Sequence, residues 1–473
     1  MEFNIKDLIA IAPMLGVTIT AFVLIFIEAL IRKSTNISYT VSIIGLIVSI
    51  GFAVESLNVR SVAFFQMVTV GGYANFFSIL FMITALITII LSKDYLIKQA
   101  INFGEYYILI LLAVVGMMLI ASAADLIIVF LGIELMSVCL YVLVGFMRKK
   151  MKSNEAALKY FLLGAFATGF LLYGMALIYG VSTTTNINTI MSNLNIYTHI
   201  PLFWVGLGLL LIGLAFKVAA VPFHMWVPDV YEGAPTTVTA FMATGAKAAA
   251  FSALVVLFSH RFLGSERMTD VIAILATASM VIGNIIAISQ TNIKRMLAYS
   301  SIAHAGYMLV GLAAANELGR SGILFYLSAY TFMNLGAFGI LSIIEKEEDK
   351  NLTFNDYAGL STKYPFLATL MAIFMFSLTG IPPFAGFLGK YYIFAAAVQA
   401  NLTWLVIIGV LMSVVSAYYY LRLVVVMYFR ESELPMSVSV SNVNNGVLLL
   451  SAAAIVTLGI FPSILLDVIS KLF

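Results

Sequence analysis

The chain has 473 residues, of which 62% are hydrophobic and 10% are charged, and its formal net charge is +3. This composition excludes a soluble globular protein, predicts an integral membrane protein and gives no indication of nucleic-acid binding. The lone Cys139 excludes a disulfide framework, a cysteine-ligated zinc site and an iron–sulfur cluster, and the four histidines lack metal-ligand spacing.

Apolar runs predict about fourteen membrane crossings, because a spanning helix needs about 20 apolar residues. The first run is followed at once by another, so we interpret it as a mature helix rather than a cleaved signal. No soluble domain fits between the runs, and the whole chain is predicted to be one all-α polytopic membrane domain. The predicted spans lie roughly at 8–31, 38–57, 73–92, 104–122, 126–147, 155–180, 201–227, 235–259, 270–289, 296–315, 321–344, 364–399, 402–429 and 444–470.

The loops between these spans predict the orientation of the chain. Fourteen of the 25 basic residues fall in loops on one side, and six fall on the side that holds both termini. Because cytoplasmic loops carry the excess of Lys and Arg, both termini are predicted to lie outside. The run EKEEDK at 345–350 is predicted to be a solvated loop on the basic side.

Five basic residues remain within spans: Lys159, Lys217, Lys247, Lys390 and Arg422. Lys159 and Arg422 lie close enough to a span end for a long side chain to reach the surface. The other three lie several turns from either flank, where a charge is costly and faces the bundle interior or water. These three lysines predict a hydrated path for ions, with a structural ion pair between helices as the open alternative.

The seventh predicted span is broken. It is interrupted at Pro222, passes His224 and an acidic turn with Asp229 and Glu232, and restarts as the next helix after Pro235. A helix can break inside a membrane only where protein or a water-filled cavity satisfies the freed backbone groups. The break therefore supports the hydrated path. For His224 a proton-relay role and a hydrogen-bonded structural role both stay open.

A second break is predicted in the twelfth span, where residues 378–390 read LTGIPPFAGFLGK. Pro382 and Pro383 remove two backbone donors and disfavour helix before them. Lys390 follows this break, whereas the first buried lysine precedes its own. Paired broken helices in two halves are typical of inverted-repeat transporters, although no residue-level repeat is visible.

Two further ionisable residues lie at membrane depth. Glu134 is in mid-span within IVFLGIELMSVCLYVLVGF, where a nearby lysine would give a pair with easily shifted protonation. A packing partner is the alternative role for this glutamate. His304, within AYSSIAHAGYM, sits among small polar residues that can hold water, and relay and structural roles are both open for it. No phosphate loop, nucleophile elbow or cofactor ligand set indicates bond-making chemistry.

Three long motifs carry a resemblance that covers nearly the whole chain. They are FKVAAVPFHMWVPDVYEGAPTTVTAFMATGAKAAAF, NIKRMLAYSSIAHAGYMLVG and TGIPPFAGFLGKYYIF. They resemble the antiporter-like membrane subunits of respiratory complex I, which are related to subunits of Mrp-type cation/proton antiporters. The segment VYEGAPTTVTAF followed by KAAAF is similar to the subunit N group of that family in particular.

The resemblance implies a fold and a set of site residues. It implies fourteen helices, with helices 4–8 and 9–13 as inverted five-helix repeats and helices 7 and 12 broken. Glu134, Lys217, Lys247 and Lys390 occupy the positions of the family's buried charges on helices 5, 7, 8 and 12. The corresponding divisions are an N-terminal part at 1–103, a first repeat at 104–260, a second repeat at 268–430 and a C-terminal helix at 440–473.

The resemblance also implies a function. The chain is expected to be a proton-translocating subunit of NADH:quinone oxidoreductase in a bacterial plasma membrane, beside other antiporter-like subunits. NADH, FMN, iron–sulfur clusters and quinone would belong to other subunits, with no cofactor in this chain. Lys247 would be the central proton carrier, Lys217 would be tuned by Glu134, and Lys390 would pass or receive protons. The alternatives are a subunit of an Mrp-type Na⁺/H⁺ antiporter and a purely structural membrane subunit.

Overall fold

The computed structural model describes residues 5–31, 34–258, 266–346, 352–431 and 440–472. Thirteen helices in these ranges are long and apolar enough to cross a membrane, which confirms the predicted all-α integral membrane fold. The α-helices are α1 (Ile5–Ala10), α2 (Ala12–Leu30), α3 (Thr35–Glu55), α4 (Gly72–Lys98), α5 (Glu105–Ser122), α6 (Leu126–Val144), α7 (Met151–Ser182), α8 (Ile187–Ser192), α9 (Leu194–Tyr197), α10 (Pro201–Val218), α11 (Val227–Gly233), α12 (Thr236–Phe241), α13 (Lys247–Phe258), α14 (Glu266–Ile288), α15 (Ile293–Ala313), α16 (Glu317–Ile344), α17 (Leu360–Lys363), α18 (Pro365–Thr379), α19 (Ala385–Gln399), α20 (Thr403–Phe429), α21 (Asn442–Ile460) and α22 (Ser463–Ile469).

Three short elements complete the described structure. A π-helix, Met242–Ala246, joins α12 to α13, and a 3₁₀-helix, Phe354–Tyr357, precedes α17. Strands β1 (Ser61–Ala63) and β2 (Val68–Val70) form an antiparallel hairpin between α3 and α4. The prediction missed this hairpin, because three-residue strands are too short to show the alternating pattern that indicates a strand.

The first predicted break lies between α10 and α11. Helix α10 ends at Val218, and Ala219 adopts a left-handed conformation with φ of 64°. Asp229 and Glu232 were predicted to lie in a turn, and this was wrong, since both lie on the short helix α11. Pro228 stands in the first turn of that helix, where the missing N–H has no intrahelical partner to lose, so the proline begins a helix there.

The second predicted break lies between α18 and α19. Helix α18 ends at Thr379, Gly380 follows with φ of 91°, and α19 begins at Ala385. Each half has 15 residues, which is too short to cross the membrane alone. The two halves lie within the twelfth predicted span, 364–399, and are not among the thirteen long helices.

Three helical segments form the centre of the bundle. They are α15, α16 and the segment Thr236–Phe258, which comprises α12, the π-helix and α13. In each of the three, 94% of the residues in the apolar stretch are buried within this chain. Peripheral helices such as α2, α3 and α20 bury about a third or less. Helix α16 packs against α4, α12, α15, α18, α19 and α21. Polar groups on the central helices are therefore sheltered from lipid.

A cluster of ion pairs holds one end of the bundle together. Arg295 of α15 donates to Asp229 at 3.0 Å and to Glu232 at 2.7 Å, and Lys159 and Lys152 of α7 pair with the same two carboxylates. Burial acts to raise the pKa of Asp229, but its hydrogen bonds to Lys159 and Arg295 outweigh burial and hold that pKa below its ordinary value. The cluster joins α7, α11 and α15 on the predicted basic side.

Glu345 corrects the prediction for the run EKEEDK. Residues 347–350 of that run lie outside the described residues, but Glu345 is 0% exposed, so the run is not a wholly solvated loop. Helix α16 continues to Ile344, and the carboxylate that follows turns inward to accept a hydrogen bond from the hydroxyl of Thr236. Composition alone gave no sign of this partner, which lies 109 residues earlier in the chain.

Candidate functional site

Lys247 lies at the centre of the bundle, directly after the π-helix. Single π turns within α-helices are frequent at functional sites. The side chain is buried, and its Nζ donates to the backbone oxygen of Ser301 at 2.5 Å and to Ser301 Oγ. The ring centre of Tyr330 lies 5.7 Å from the same nitrogen. The amine therefore contacts uncharged oxygens and a ring face, and no ion pair within the described ranges involves it.

His304 lies one helical turn after Ser301 on α15 and connects to two further helices, α16 and α20. Its Nδ1 is 2.5 Å from the hydroxyl of Tyr326, and its Nε2 is 2.9 Å from the hydroxyl of Tyr420. The Tyr420 hydroxyl also hydrogen-bonds Ser300. A neutral imidazole donates from one nitrogen and accepts at the other, so the two tyrosines play opposite roles. The adjacent serines place this cluster next to Lys247.

Lys390 is held at the second break. Its buried Nζ donates to the backbone oxygens of Thr379 at 2.8 Å and Leu378 at 3.3 Å, and to Ser413 Oγ at 2.8 Å. The last carbonyls of a helix have no intrahelical donor and carry partial negative charge. An amine from the second half of the broken helix thus satisfies carbonyls that the break exposes in the first half.

Tyr307 links Lys390 to the histidine. Its ring centre lies 4.7 Å from Lys390 Nζ and 5.6 Å from the centre of the His304 ring. Its hydroxyl accepts a hydrogen bond from Asn284 at 3.2 Å, and Tyr419 donates to the same Asn284 at 2.8 Å. Lys247, His304 and Lys390 are therefore brought into one polar cluster, which α15 runs through.

Lys217 and Glu134 lie close in the fold but are not in direct contact. Lys217, in the last turn of α10, donates to Ser137 Oγ at 2.7 Å. Glu134, one turn before Ser137 on α6, accepts a hydrogen bond from Thr168 at 2.8 Å. Among the described residues no ion pair joins the two, and no hydrogen bond connects Lys217 to the cluster around Lys247.

His224 stands apart from the other candidates. It lies in the irregular segment between α10 and α11. Because α10 ends at Val218, His224 does not share a helical face with Lys217. Its Nδ1 is buried and has no hydrogen-bond partner among the described residues. In the same segment, the indole N–H of Trp226 donates to the backbone oxygen of Phe216 at 3.1 Å. This bond supplies a donor to a carbonyl in the last turn of α10, next to the break.

The arrangement favours proton exchange. Each buried lysine donates to hydroxyl or backbone oxygens, so loss or gain of its proton breaks no contact with a counter-charge. Hydroxyl groups and imidazoles both donate and accept protons, and they occupy the space between Lys247 and Lys390. Within the described ranges, no group of three or more His, Cys, Asp or Glu side chains is placed to hold a metal ion.

The hydroxyl partners of these groups were not predicted. A signal for them exists, because Ser300, His304 and Tyr307 recur at helical spacing on α15, and Tyr326, Tyr330 and Asn334 recur every four residues on α16. Polar stripes of this kind on buried helices indicate a polar interior. Tyr420, within the run YYY on α20, has no such spacing to distinguish it from its neighbours.

Comparison with known proteins identifies the family. Residues 123–416 match the family described as NADH:quinone oxidoreductase/Mrp antiporter, TM. The NADH-quinone oxidoreductase subunit N of Trichlorobacter lovleyi is 48% identical over 98% of this chain and 96% of its own. A chain of respiratory complex I from Thermus thermophilus with bound aureothin is 34% identical, with a TM-score of 0.85 over 96% of this chain and 98% of that one.

A chain of the Mrp complex from Dietzia sp. DQ12-45-1b shares the fold, with a TM-score of 0.87 over 98% of this chain and 96% of that one, at 20% identity. That likeness concerns the fold alone, whereas the complex I chain and the subunit N relative are also similar in sequence over nearly their whole lengths. The chain therefore belongs to the NADH:quinone oxidoreductase/Mrp antiporter family of membrane subunits, and within it to the subunit N group.

Proposed function

We propose that this chain is the antiporter-like subunit N of an NADH:quinone oxidoreductase and that it moves protons across the membrane. Electrons pass from NADH to quinone in other subunits, which hold the FMN and iron–sulfur clusters. The observation that carries the proposal is Lys247, a buried amine in the middle of a central helix, bound to neutral oxygens and adjoining the His304 cluster. The similarity to subunit N relatives supports assignment to this complex.

In this proposal each ionisable group has one task. Lys247 is the central proton carrier, which takes up and releases protons. Lys217 changes its proton affinity as Glu134 moves towards it or away from it. Lys390 exchanges protons with Lys247 through His304 and the tyrosines around it, and His224 remains a candidate relay at the first break. Conformational or electrostatic change in neighbouring subunits drives the cycle.

The architecture and location follow the same proposal. The segments 104–260 and 268–430 form two inverted five-helix repeats, each with one broken helix. The two breaks, each with a lysine close to the end of a half-helix, support this arrangement. The protein lies in a bacterial plasma membrane with its ion-pair cluster on the cytoplasmic side and both termini outside, as the distribution of basic residues supports.

Replacing Lys247 with Met in the assembled complex tests the proposal. Met has a similar length but no proton to exchange, so quinone-coupled proton pumping in proteoliposomes is expected to fall more than about tenfold. Lys149→Met, at an exposed position on the predicted cytoplasmic side, is the matched control and should leave pumping unchanged. Normal pumping by an assembled Lys247→Met complex would refute the central role of this lysine.

A subunit of an Mrp-type Na⁺/H⁺ antiporter is the second candidate, because the matching family includes both kinds of protein and the Mrp chain shares the fold. The much higher identity to subunit N relatives favours complex I. Affinity purification of the tagged chain separates the two. Recovery with NADH- and quinone-reacting subunits supports the first, and recovery with small antiporter subunits alone supports the second.

A further inference from the structure

Glu345 is a buried carboxylate that the roles above do not use. It follows the last residue of α16 and is 0% exposed. One carboxylate oxygen accepts a hydrogen bond from the hydroxyl of Thr236, and the other is 3.4 Å from the hydroxyl of Tyr95. Thr236 begins the central helix that carries Lys247, and its backbone N–H donates to Tyr95 at 3.1 Å. The carboxylate thus stands at the start of the helix of the proposed carrier.

The surroundings of Glu345 adjoin the surface on the predicted cytoplasmic side. Lys98, which is half-buried, donates to the backbone oxygen of Ile343 at 2.9 Å, and Lys346 is also half-buried. The buried Tyr357 lies close enough to interact electrostatically with Glu345, and its hydroxyl has no hydrogen-bond partner among the described residues. Glu345 therefore lies where the protein interior meets the exposed end of the bundle.

A polar face of α16 leads from this end toward Lys247. Asn334 and Tyr330 are 1% exposed and one turn apart, and Tyr330 presents its ring to Lys247 Nζ. Within the described ranges Asn334 Oδ1 and the Tyr330 hydroxyl make no hydrogen bond of full geometry, although Ser301 and Asn334 lie close to that hydroxyl. Buried polar atoms without a protein partner are ordinarily satisfied by water. These atoms mark water sites beside Lys247, just as the Tyr357 hydroxyl marks one beside Glu345.

The two helices run in opposite directions between the same two groups, Glu345 and Lys247. The central helix runs from Thr236, next to Glu345, to Lys247, and eleven residues of helix rise cover about 16 Å. Helix α16 runs in the opposite sense, from Tyr330 near Lys247 to Glu345. The two helices pack against each other along this length. Water between them has to bridge the interval from Glu345 to Asn334, which is eleven residues of α16 or about 16 Å.

We propose that Glu345 is a proton-transfer residue that supplies Lys247 from the predicted cytoplasmic side through water along the Asn334 and Tyr330 face of α16. The proton leaves the carboxyl group of Glu345, passes along the water chain and binds the neutral amine of Lys247. A carboxylate and an ammonium result, and the carboxylate is then protonated from solution. The inference rests on the proposed function of the chain.

A purely structural role for Glu345, as the acceptor that joins α16 to the central helix, makes different predictions. Glu345→Gln keeps an oxygen for the Thr236 hydroxyl but cannot carry a proton, whereas Thr236→Val removes the bond and keeps the carboxylate. Proton transfer predicts that Glu345→Gln lowers pumping more than about tenfold while Thr236→Val pumps nearly normally. A structural role predicts the reverse order, which would overturn the proposal. Glu317→Gln, at the exposed start of α16, is the matched control.

Tyr330→Phe gives an independent test that does not depend on how Glu345 variants assemble. Among the described residues the Tyr330 hydroxyl makes no hydrogen bond of full geometry, and only Ser301 and Asn334 lie close to it, so its removal should change the stability of the complex little. The water path predicts slower pumping by Tyr330→Phe with normal assembly, and unchanged pumping contradicts it. If Lys247→Met stops pumping while Glu345→Gln and Tyr330→Phe do not, only the path is refuted. If all three pump normally, the proposed function fails as well.

Discussion

Substitutions of Lys390 distinguish its role in stabilising the second break from its proposed role in proton transfer. In Lys390→Met, the backbone oxygens of Thr379 and Leu378 lose their buried donor. Each unsatisfied acceptor costs about 1–3 kcal/mol, so two would cost about 2–6 kcal/mol. The Ser413 hydroxyl already lies 3.3 Å from the Thr379 oxygen and can take over as its donor. The net loss of stability is then about 1–3 kcal/mol, with about 0.3–1 kcal/mol more for the cation lost from a helix C-terminus.

Lys390→Arg is the matched variant, because a guanidinium keeps several donors but does not release its proton in a protein. We expect Lys390→Met to lower the thermal stability of the purified complex and to stop pumping. Lys390→Arg should retain more of the stability and still fail to pump. Thermal unfolding followed by intrinsic fluorescence and proton uptake in proteoliposomes measure the two effects. An unchanged melting temperature of the Lys390→Met complex would refute the claim that this lysine stabilises the second break. Normal pumping by the Lys390→Arg complex would refute the role of Lys390 in proton transfer.

Three further substitutions test other parts of the structure. Tyr420→Phe removes the hydroxyl that bonds His304, and pumping should slow about tenfold or more in proteoliposomes while assembly is retained. Gly386→Ala brings a Cβ into the backbone oxygen of Ser377 and should destabilise the complex by about 1–3 kcal/mol in thermal unfolding. Gly446→Ala, where a Cβ meets open space, should not, and equal effects would contradict the packing argument. Arg295→Gln should lower stability by roughly 1 kcal/mol after solvent screening, and an unchanged melting temperature would mean that the ion-pair cluster contributes nothing.

The sequence predicted those parts of the fold that depend on local physics. Long apolar runs gave the spanning helices, and Pro222, Pro382 and Pro383 gave both breaks, because a proline interrupts helical hydrogen bonding wherever it stands inside a span. The prediction of a turn at Asp229 and Glu232 was wrong, because Pro228 stands in the first turn of a helix there. The hairpin was also not predicted, since a strand of three residues leaves no periodic pattern.

The sequence predicted the buried charged residues of the site but not the residues that accept their hydrogen bonds. Lys217, Lys247 and Lys390 stood out because a lysine at membrane depth is costly wherever it lies. Their acceptors are ordinary serines and backbone carbonyls, which are common on every helix. Lys217 donates to Ser137 rather than to Glu134, a choice that depends on how α6 and α10 pack. Glu345 was misjudged for the same reason, because its partners come from other helices.

The contacts of the central helix also bear on the order in which the protein can be completed during synthesis. The acceptors of Lys247 are on Ser301, 54 residues later, and the hydroxyl of Thr236 reaches its carboxylate only 109 residues later. A chain made from its N-terminus therefore exposes this lysine before α15 exists, at a stage when lipid or the insertion machinery must accommodate it. Domains form as units during synthesis at roughly 5–20 residues per second, so this interval lasts several seconds. One of the three most buried helical segments of the finished protein is thus inserted before the polar partners of its lysine have been made.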